Sequence, residues 1–573
     1  MYTHIKQVQI IVSLLKQYGV RHFVISPGTR HVPLVHAVEI DSFFTCYSVV
    51  DERSAGFVAL GLSESLDAPV CVVCTSATAS CNYLPAMQEA FERHIPLIAL
   101  TSDRARHQRF HGENQCINQV DMYKPFCKYA VDLPLVENDE DYWYCNRCVN
   151  EALIYQNRNW KGPIQINYLE PLNIRELSTF ENPEIPLTRK INVIEKNIDW
   201  KQFAQELTGK KVLVVCGQYK SHTERLKKAL RSFNEKYETV ITTDYFANVN
   251  DDTFIHSPGL DVVLNNIEYW DLHPDIVITY GSKVYSGVGV KYRNKNIPHW
   301  YIDEEAIVYD PMQTLQNIFA ISPELFFEEL AKVSDGLNTK AYYQLWKTRF
   351  DEINFGIRNF TNYYVIKEVL NRLPDKSILH TSVLNSMRFT NFCTIPKDST
   401  VIGNICADGI DGALSTFIGQ ALSTSRIALL VVGDLSYLYD LNEAIGTMPN
   451  NIRILLINNN AGAEFHYNIS LERISTLNLH IAASHHNQFK EISTMSGLEY
   501  WKVTSADELE KVVSKFFQPS EQPILLEAIT DADTDGRELR SMLARNRKKI
   551  TLSMRVKNKL TRMIKKINDG INN

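Results

Sequence analysis

The chain has 573 residues, 45% hydrophobic and 22% charged, with a formal net charge of −6. This is the balance of a globular protein, and it gives no reason to expect nucleic acid as the main partner. At roughly 100–200 residues per domain the length allows three or four domains. No apolar run reaches membrane-spanning length, the start (Met1 to Lys6) lacks a signal-peptide layout, and eleven cysteines lie scattered, several in apolar runs, so a cytoplasmic protein is expected. Cys145 and Cys148 form one CxxC on an expected helix, but no second pair stands at zinc-site spacing.

In chain order, Ile10 to Tyr18 reads as an amphipathic helix and Phe23–Ile25 as a strand, which runs into the turn Ser26–Arg30. Thr45–Val50 is a strand ending in Asp51-Glu52-Arg53-Ser54, followed by a small-residue helix from Ala55 to Leu62. Pro69–Cys74 is a strand closed by Thr75–Ser80 and a helix to about Arg93, and Pro96–Leu100 is another, ending in Thr101–Arg104. Short apolar strands alternating with helices predict a parallel sheet covered on both faces. Pro171, Pro183 and Pro186 mark a linker. A second α/β domain, with few candidate catalytic residues, begins near Lys211–Gly217 and continues through Asp275–Tyr280. A helical connector, about 322–357, leads to a third, ending near Pro523–Glu527.

The third domain holds the most suggestive stretch. Ile427–Val432 reads as a buried strand ending in Gly433-Asp434, a helix is expected from Tyr437 to about Met448, and a second strand, Ile452–Ile457, ends in Asn458-Asn459-Asn460. Ligands of open α/β sheets sit at the carboxyl ends of strands. A carboxylate, an amide oxygen and a backbone carbonyl there suit a Mg²⁺ ion that also holds phosphates. The plainer alternative is two strand ends with asparagine as turn residues.

From Arg537 onward the chain is crowded with Lys and Arg, with Val556, Leu560, Met563, Ile564 and Ile567 at helical spacing. Such a basic amphipathic helix can lie on an anionic membrane or meet a partner, and it can equally be a solvated tail packing one stripe on its own protein.

Glu52 in the first domain, with Asp434 and the asparagines in the third, makes a constellation that resembles the thiamine-diphosphate-dependent enzymes. Longer matches resemble one branch, the SEPHCHC synthases of menaquinone biosynthesis: Ser26–Arg30, Val50–Ala55, Cys74–Ala79, Gly112–Gln115, Asp408–Gly412 and Gly433–Ser436. This implies three doubly wound α/β parallel-sheet domains: pyrimidine-binding (1–185), central (200–335) and diphosphate-binding (350–535), with the basic helical tail (537–573) outside the resemblance. The cofactors implied are thiamine diphosphate and Mg²⁺, with Mn²⁺ an alternative. Glu52 would be the catalytic carboxylate, buried and sharing a proton with the cofactor's pyrimidine ring. Ser76, Ile410, Gly433, Asp434, Leu435, Ser436, Asn459, Ala461 and Phe465 would line the cofactor. Asp434, Asn459 and the Ala461 carbonyl would hold the metal. Arg30, Arg104, Asn114, Gln115 and Arg388 would contact substrate carboxylates or polar groups. The branch acts on 2-oxoglutarate and isochorismate, and the superfamily assembles as homodimers or dimers of dimers.

Four positions depart from the branch. Ile405 stands for an arginine, Leu384 for a serine, and Glu464 for an aliphatic residue. A Lys-Arg pair is missing after Gly281-Ser-Lys283, where Val284–Val290 follow. The cofactor half is kept while the anion-binding half is thinned. The expectation is a 2-oxo-acid decarboxylase or carboligase with another substrate pair, such as a neutral hydroxylated acceptor, for instance a sugar in surface-polysaccharide synthesis. The alternatives are SEPHCHC synthase itself and a non-catalytic homologue, the latter disfavoured by joint retention of Glu52, Asp434 and Asn459. An NAD-type Rossmann enzyme is a weaker alternative, since no strand runs into GxGxxG.

Overall fold

The computed structural model describes residues 1–171, 173–219, 223–258, 272–283, 291–293, 295–357, 359–396, 398–442 and 448–546. The chain divides into two compact units, residues 1–194 with 306–318, and residues 195–305 with 319 onward.

The first unit is built on six parallel strands: β1 (His22–Ile25), β2 (Thr45–Ser48), β3 (Val70–Cys74), β4 (Leu97–Asp103), β5 (Tyr129–Leu133) and β6 (Ile164–Leu169), in the spatial order β2-β1-β3-β4-β6-β5. Alternation along β3 sends Cys71 and Val73 to one face, against Val8, Ile11 and Leu15 of the Lys6–Gln17 helix and Val149 of the Asp139–Asn157 helix. Val70 and Val72 go to the other face, against Ala55, Ala59 and Met87. Both faces are thus dry, which is why these strands read as unbroken apolar runs. Cys145 and Cys148 are buried on the Asp139–Asn157 helix as packing residues. The 306–318 segment joins this unit through Asp310, whose carboxylate accepts from Trp143 at 2.9 Å and Arg189 at 3.0 Å.

In the second unit, five central strands, β7 (Val212–Cys216), β8 (Thr239–Thr243), β9 (Ile255–His256), β10 (Ile276–Tyr280) and β11 (His299–Ile302), pair in parallel in the order β9-β8-β7-β10-β11. A further parallel sheet holds β12 (Ile378–Thr381), β13 (Thr400–Ile402), β14 (Ala428–Gly433), β15 (Ile452–Asn458), β16 (Glu499–Val503) and β17 (Ile524–Ile529). Its order, β13-β12-β14-β15-β17-β16, repeats that of the first unit. Leu429, Val431, Leu455 and Ile457 face Val365, Val369, Leu539 and Met542, while Leu430, Val432, Ile454 and Leu456 face Leu414, Phe417 and Tyr437. In both sheets the strand order reverses beside the strand that carries the candidate residues. That reversal opens a crevice at the carboxyl edge.

Four expectations change. Glu52 is not at a strand end but opens a helix, Glu52–Leu66, whose N-cap Asp51 accepts from the Ser54 amide at 2.8 Å. The helix after β3 is two helices, Thr78–Cys81 and Leu84–Glu92, with Pro85 setting the second start. The helix expected from Tyr437 begins at Asp434 and runs to Tyr439, and residues 443–447 lie outside the described residues. Residues 537–546 are no free tail. They complete the Ala532–Asn546 helix, which buries Leu539, Met542 and Leu543 in the core, and the amphipathic positions from Val556 to Ile567 lie outside the described residues. Among the described residues no helix is long and apolar enough to cross a membrane.

Candidate active site

The strand tips of the second unit build a cavity of about 180 Å³. Its walls come from Ser382–Ser386 after β12, Gly433–Ser436 after β14 and Asn459–Phe465 after β15, with Ile410 opposite. Asp434 is 3% exposed and is held from both sides. Its Oδ2 accepts the backbone amides of Asn459 at 3.0 Å and Asn460 at 2.8 Å, and Oδ1 accepts the Leu435 amide at 2.7 Å. This ties the tips of two neighbouring strands together, and Asn460 takes a left-handed φ of 62° to make the turn. Asn459 donates through Nδ2 to Asp535 at 3.2 Å, so its Oδ1 is the end left facing inward, where it meets the Ala461 amide at 3.3 Å. The Ser436 hydroxyl donates to the Ile410 carbonyl, fastening that apolar side chain's loop to the strand tip. A Cβ at Gly433 would meet nothing within 4 Å, and Gly433 lines the cavity, so the missing side chain leaves room there.

A carboxylate, an amide oxygen and a carbonyl beside a small cradle with apolar walls fit a diphosphate held through a hard cation. Two residues that sequence reasoning passed over support this edge. Asp535 is buried, and burial pushes its carboxyl up to about 7, opposed by hydrogen bonds from the Asn362 amide, Thr530 and Asn459. His485 brings Nε2 to 3.3 Å from Asp434 Oδ2. Neither carried a sequence signal, because their distance along the chain from Asp434 and Asn459 hides the contact.

The first unit gathers a second set at its own carboxyl edge. Arg30 follows β1, Ser76 follows β3, Arg104 follows β4 and Glu170 follows β6. The Ser76 hydroxyl donates to the Gln115 carbonyl at 2.9 Å. The next residue, Ala77, is held at φ 67° by its amide donating to Gln119 Oε1 at 2.7 Å. Arg30 is drawn below the usual guanidinium range by burial and then by the facing Arg104, with Glu170 opposing. Glu170 is fully buried, neither of its oxygens has a hydrogen-bond partner among the described residues, and burial pushes its carboxyl far upward. Asn114 and Gln115 are exposed. Glu52 is half-buried within the chain, not buried as expected. Of the residues named from the sequence, Arg30 and Arg104 share one edge with Ser76 and Gln115, and Ile410, Gly433–Ser436, Asn459, Ala461 and Phe465 share the other.

Arg388 stands on the Asn385–Thr390 helix, where its guanidinium is gripped by Glu464. Ile405 is 1% exposed and packs with Tyr245, Phe246 and Val401. Lys283 pairs with Asp408.

A family model described as the N-terminal TPP binding domain of thiamine pyrophosphate enzymes matches residues 5–122. The chain is 32% identical to 2-succinyl-5-enolpyruvyl-6-hydroxy-3-cyclohexene-1-carboxylate synthase of Phocaeicola vulgatus, over 94% of this chain and 98% of that relative. The chain belongs to this family of thiamine-diphosphate enzymes. The same enzyme of Bacteroides thetaiotaomicron is 30% identical over 94% of this chain and 98% of the relative, and that of Porphyromonas gingivalis 29% over 92% and 95%. Membership makes the protein a thiamine-diphosphate-dependent enzyme that forms or cleaves carbon–carbon bonds, resembling SEPHCHC synthase. When bound, the cofactor of this family supplies an electron sink for decarboxylation.

Proposed function

We propose that the protein decarboxylates a 2-oxo acid and passes the remaining acyl unit to an acceptor, using thiamine diphosphate with Mg²⁺ or Mn²⁺. The observation that carries this is the Asp434 carboxylate pinned across the tips of β14 and β15, beside Asn459 and the open cradle at Gly433. In this reading Asp434, Asn459 and the Ala461 carbonyl hold the cation. Ile410, Leu435, Ser436 and Phe465 wall the cofactor, and Glu52 with Ser76 serves its pyrimidine end. Glu52 shares a proton with the ring nitrogen, and Arg30, Arg104, Asn114 and Gln115 receive the polar groups of substrate.

The acting form is a homodimer or a dimer of dimers. The Glu52–Leu66 helix supports this. It leaves Phe57 (44%), Val58 (41%) and Leu66 (45%) exposed near Val50 (78%), an apolar face beside the catalytic carboxylate that a second copy would cover. The basic segment beyond residue 546 is left as a candidate contact with a membrane surface or partner.

The substrate pair is proposed to differ from that of the relatives. Their name describes a product bearing a succinyl group and a carboxylate. Here Arg388 is already paired with Glu464, and Ile405 is in the core. A donor without a second carboxylate suits this better, and a hydroxylated, uncharged acceptor such as a sugar is proposed with it. The second reading is SEPHCHC synthase itself, favoured by 32% identity along 94% of the chain. Purified protein with thiamine diphosphate and Mg²⁺ is given a panel of 2-oxo acids and CO₂ release is followed. Robust turnover of 2-oxoglutarate with isochorismate establishes the second reading, and absence of CO₂ from every 2-oxo acid refutes both.

A further inference from the structure

Glu464 sits in the Ala463–His466 helix, three residues beyond Ala461, on the wall of the cavity that holds Asp434 and Asn459. Its carboxylate is turned onto Arg388. Oε2 accepts from Nη1 at 2.6 Å and Oε1 from Nη2 at 2.8 Å, a two-bond fork with both side chains 18% exposed. Nη1 also reaches the Asn385 side-chain oxygen, and the Tyr467 ring lies 5.3 Å from the guanidinium carbon. Arg388 is therefore engaged along its outer edge and over one face. Among the described residues lining the cavity there is no Lys, Arg or His, while Asp434 and Glu464 both line it. Lys283, three residues beyond β10, is held by Asp408.

A planar guanidinium fork binds one carboxylate in this way, and here the carboxylate is the chain's own. With Asp434 engaged by the cation, as proposed above, an incoming carboxylate would meet at this wall the Glu464 carboxylate and an arginine already committed to it, and like charges set together discriminate strongly against a ligand. A carboxylate offers about four lone-pair positions, so the two bonds to Arg388 leave Glu464 able to accept from a hydroxyl or an amide N–H.

We propose that Glu464 determines donor specificity: it occupies the Arg388 fork that a substrate carboxylate would take, so the 2-oxo acid used here ends in an uncharged hydrogen-bonding group instead of a second carboxylate. This rests on the reading of the cavity as the cofactor and donor site.

The test compares 2-oxoglutarate with its terminal amide, 2-oxoglutaramate, a pair matched in length. CO₂ release is measured with thiamine diphosphate and Mg²⁺ for the native enzyme, Glu464→Gln, and Glu464→Gln combined with Arg388→Met. The native enzyme is expected to favour the amide by about tenfold or more in kcat/KM. Glu464→Gln, which removes the carboxylate charge from the Arg388 fork, shifts the ratio toward 2-oxoglutarate by about 10–100-fold, and adding Arg388→Met removes that shift. A purely structural role for the pair would lower both donors together and leave the ratio unmoved. A native preference for 2-oxoglutarate, or a ratio that Glu464→Gln does not move while the variant keeps its unfolding temperature and releases CO₂, overturns this inference alone. No CO₂ from either donor or from pyruvate with the native enzyme overturns the decarboxylase reading and this inference with it.

Discussion

The side-chain amide of Asn459 donates to the buried carboxylate of Asp535, 76 positions further along the chain, at 3.2 Å. That bond decides which end of Asn459 faces the cavity. Without it only the longer contact from the Ala461 amide to Oδ1, at 3.3 Å, opposes a turn of the nitrogen inward, where it cannot ligate a cation. Asp535→Ala is therefore expected to weaken Mg²⁺-dependent cofactor binding by about 10–100-fold, the usual scale for losing a group that orients a ligand. Titration of tryptophan fluorescence with Mg²⁺ at fixed thiamine diphosphate checks this, and an unchanged half-saturation point would remove Asp535 from the site. Asp535 also accepts the Asn362 amide, so the unfolding temperature is measured alongside.

Glu52→Gln keeps the shape of the side chain and removes its charge. Decarboxylation should fall by roughly 10²–10⁴-fold, as expected for a lost proton-sharing group. Binding of the cofactor's diphosphate, which is read through residues of the other unit, should stay near the native value. Isothermal titration and CO₂ release on the same preparation separate the two effects.

Gly433 has φ −82° and ψ 158°, a conformation open to any residue, and a Cβ there meets nothing. Replacing it with alanine should raise folding stability by about 0.4–1 kcal/mol, because the unfolded chain loses freedom. The same methyl enters the cradle. We expect thiamine diphosphate affinity to drop by about tenfold, or ~1.4 kcal/mol. A variant that is both more stable and fully able to bind would show that the diphosphate lies elsewhere.

Much of this was legible in the sequence, for a definite reason. Strands buried on both faces are written as continuous Val, Ile and Leu, so β3, β14 and β15 stand out within a residue or two of their ends. The residues at their tips stand out with them. What did not show were pairings between tips. Arg388 and Glu464 were each noticeable, one as a candidate anion receptor and the other as a misplaced acid, yet 76 positions separate them and only the fold joins them. Glu170 and Asp535 were missed because a lone acid after a strand or in a helix looks like a surface residue until its burial is seen. The start of the Glu52 helix was placed late because Asp51, which caps it, reads equally well as the end of a loop.

His380, on β12, is fully buried, with Nδ1 2.9 Å from Gln420 Oε1. Burial lowers its pKa from 6.5 to about 4. The unfolded chain thus takes up this proton first as pH falls. The stability contribution is intact above about pH 6.5 and is lost as pH drops toward 4. A shift of this size corresponds to a loss of order 3 kcal/mol at one site. Urea unfolding from pH 7 to 4 should show that loss in the native protein and a flatter acid limb in His380→Gln.

Ile405 carries a consequence for which charges this part of the chain can take. It stands where the resemblance places an arginine, and it is now 1% exposed among Tyr245, Phe246 and Val401. A single Ile405→Arg substitution would put an unpaired charge among aromatic rings, at a cost far above that of an ordinary substitution. Ile405→Arg is therefore expected to lower the unfolding temperature before it could supply an anion contact, so a cation at this position requires a change in its aromatic neighbours as well.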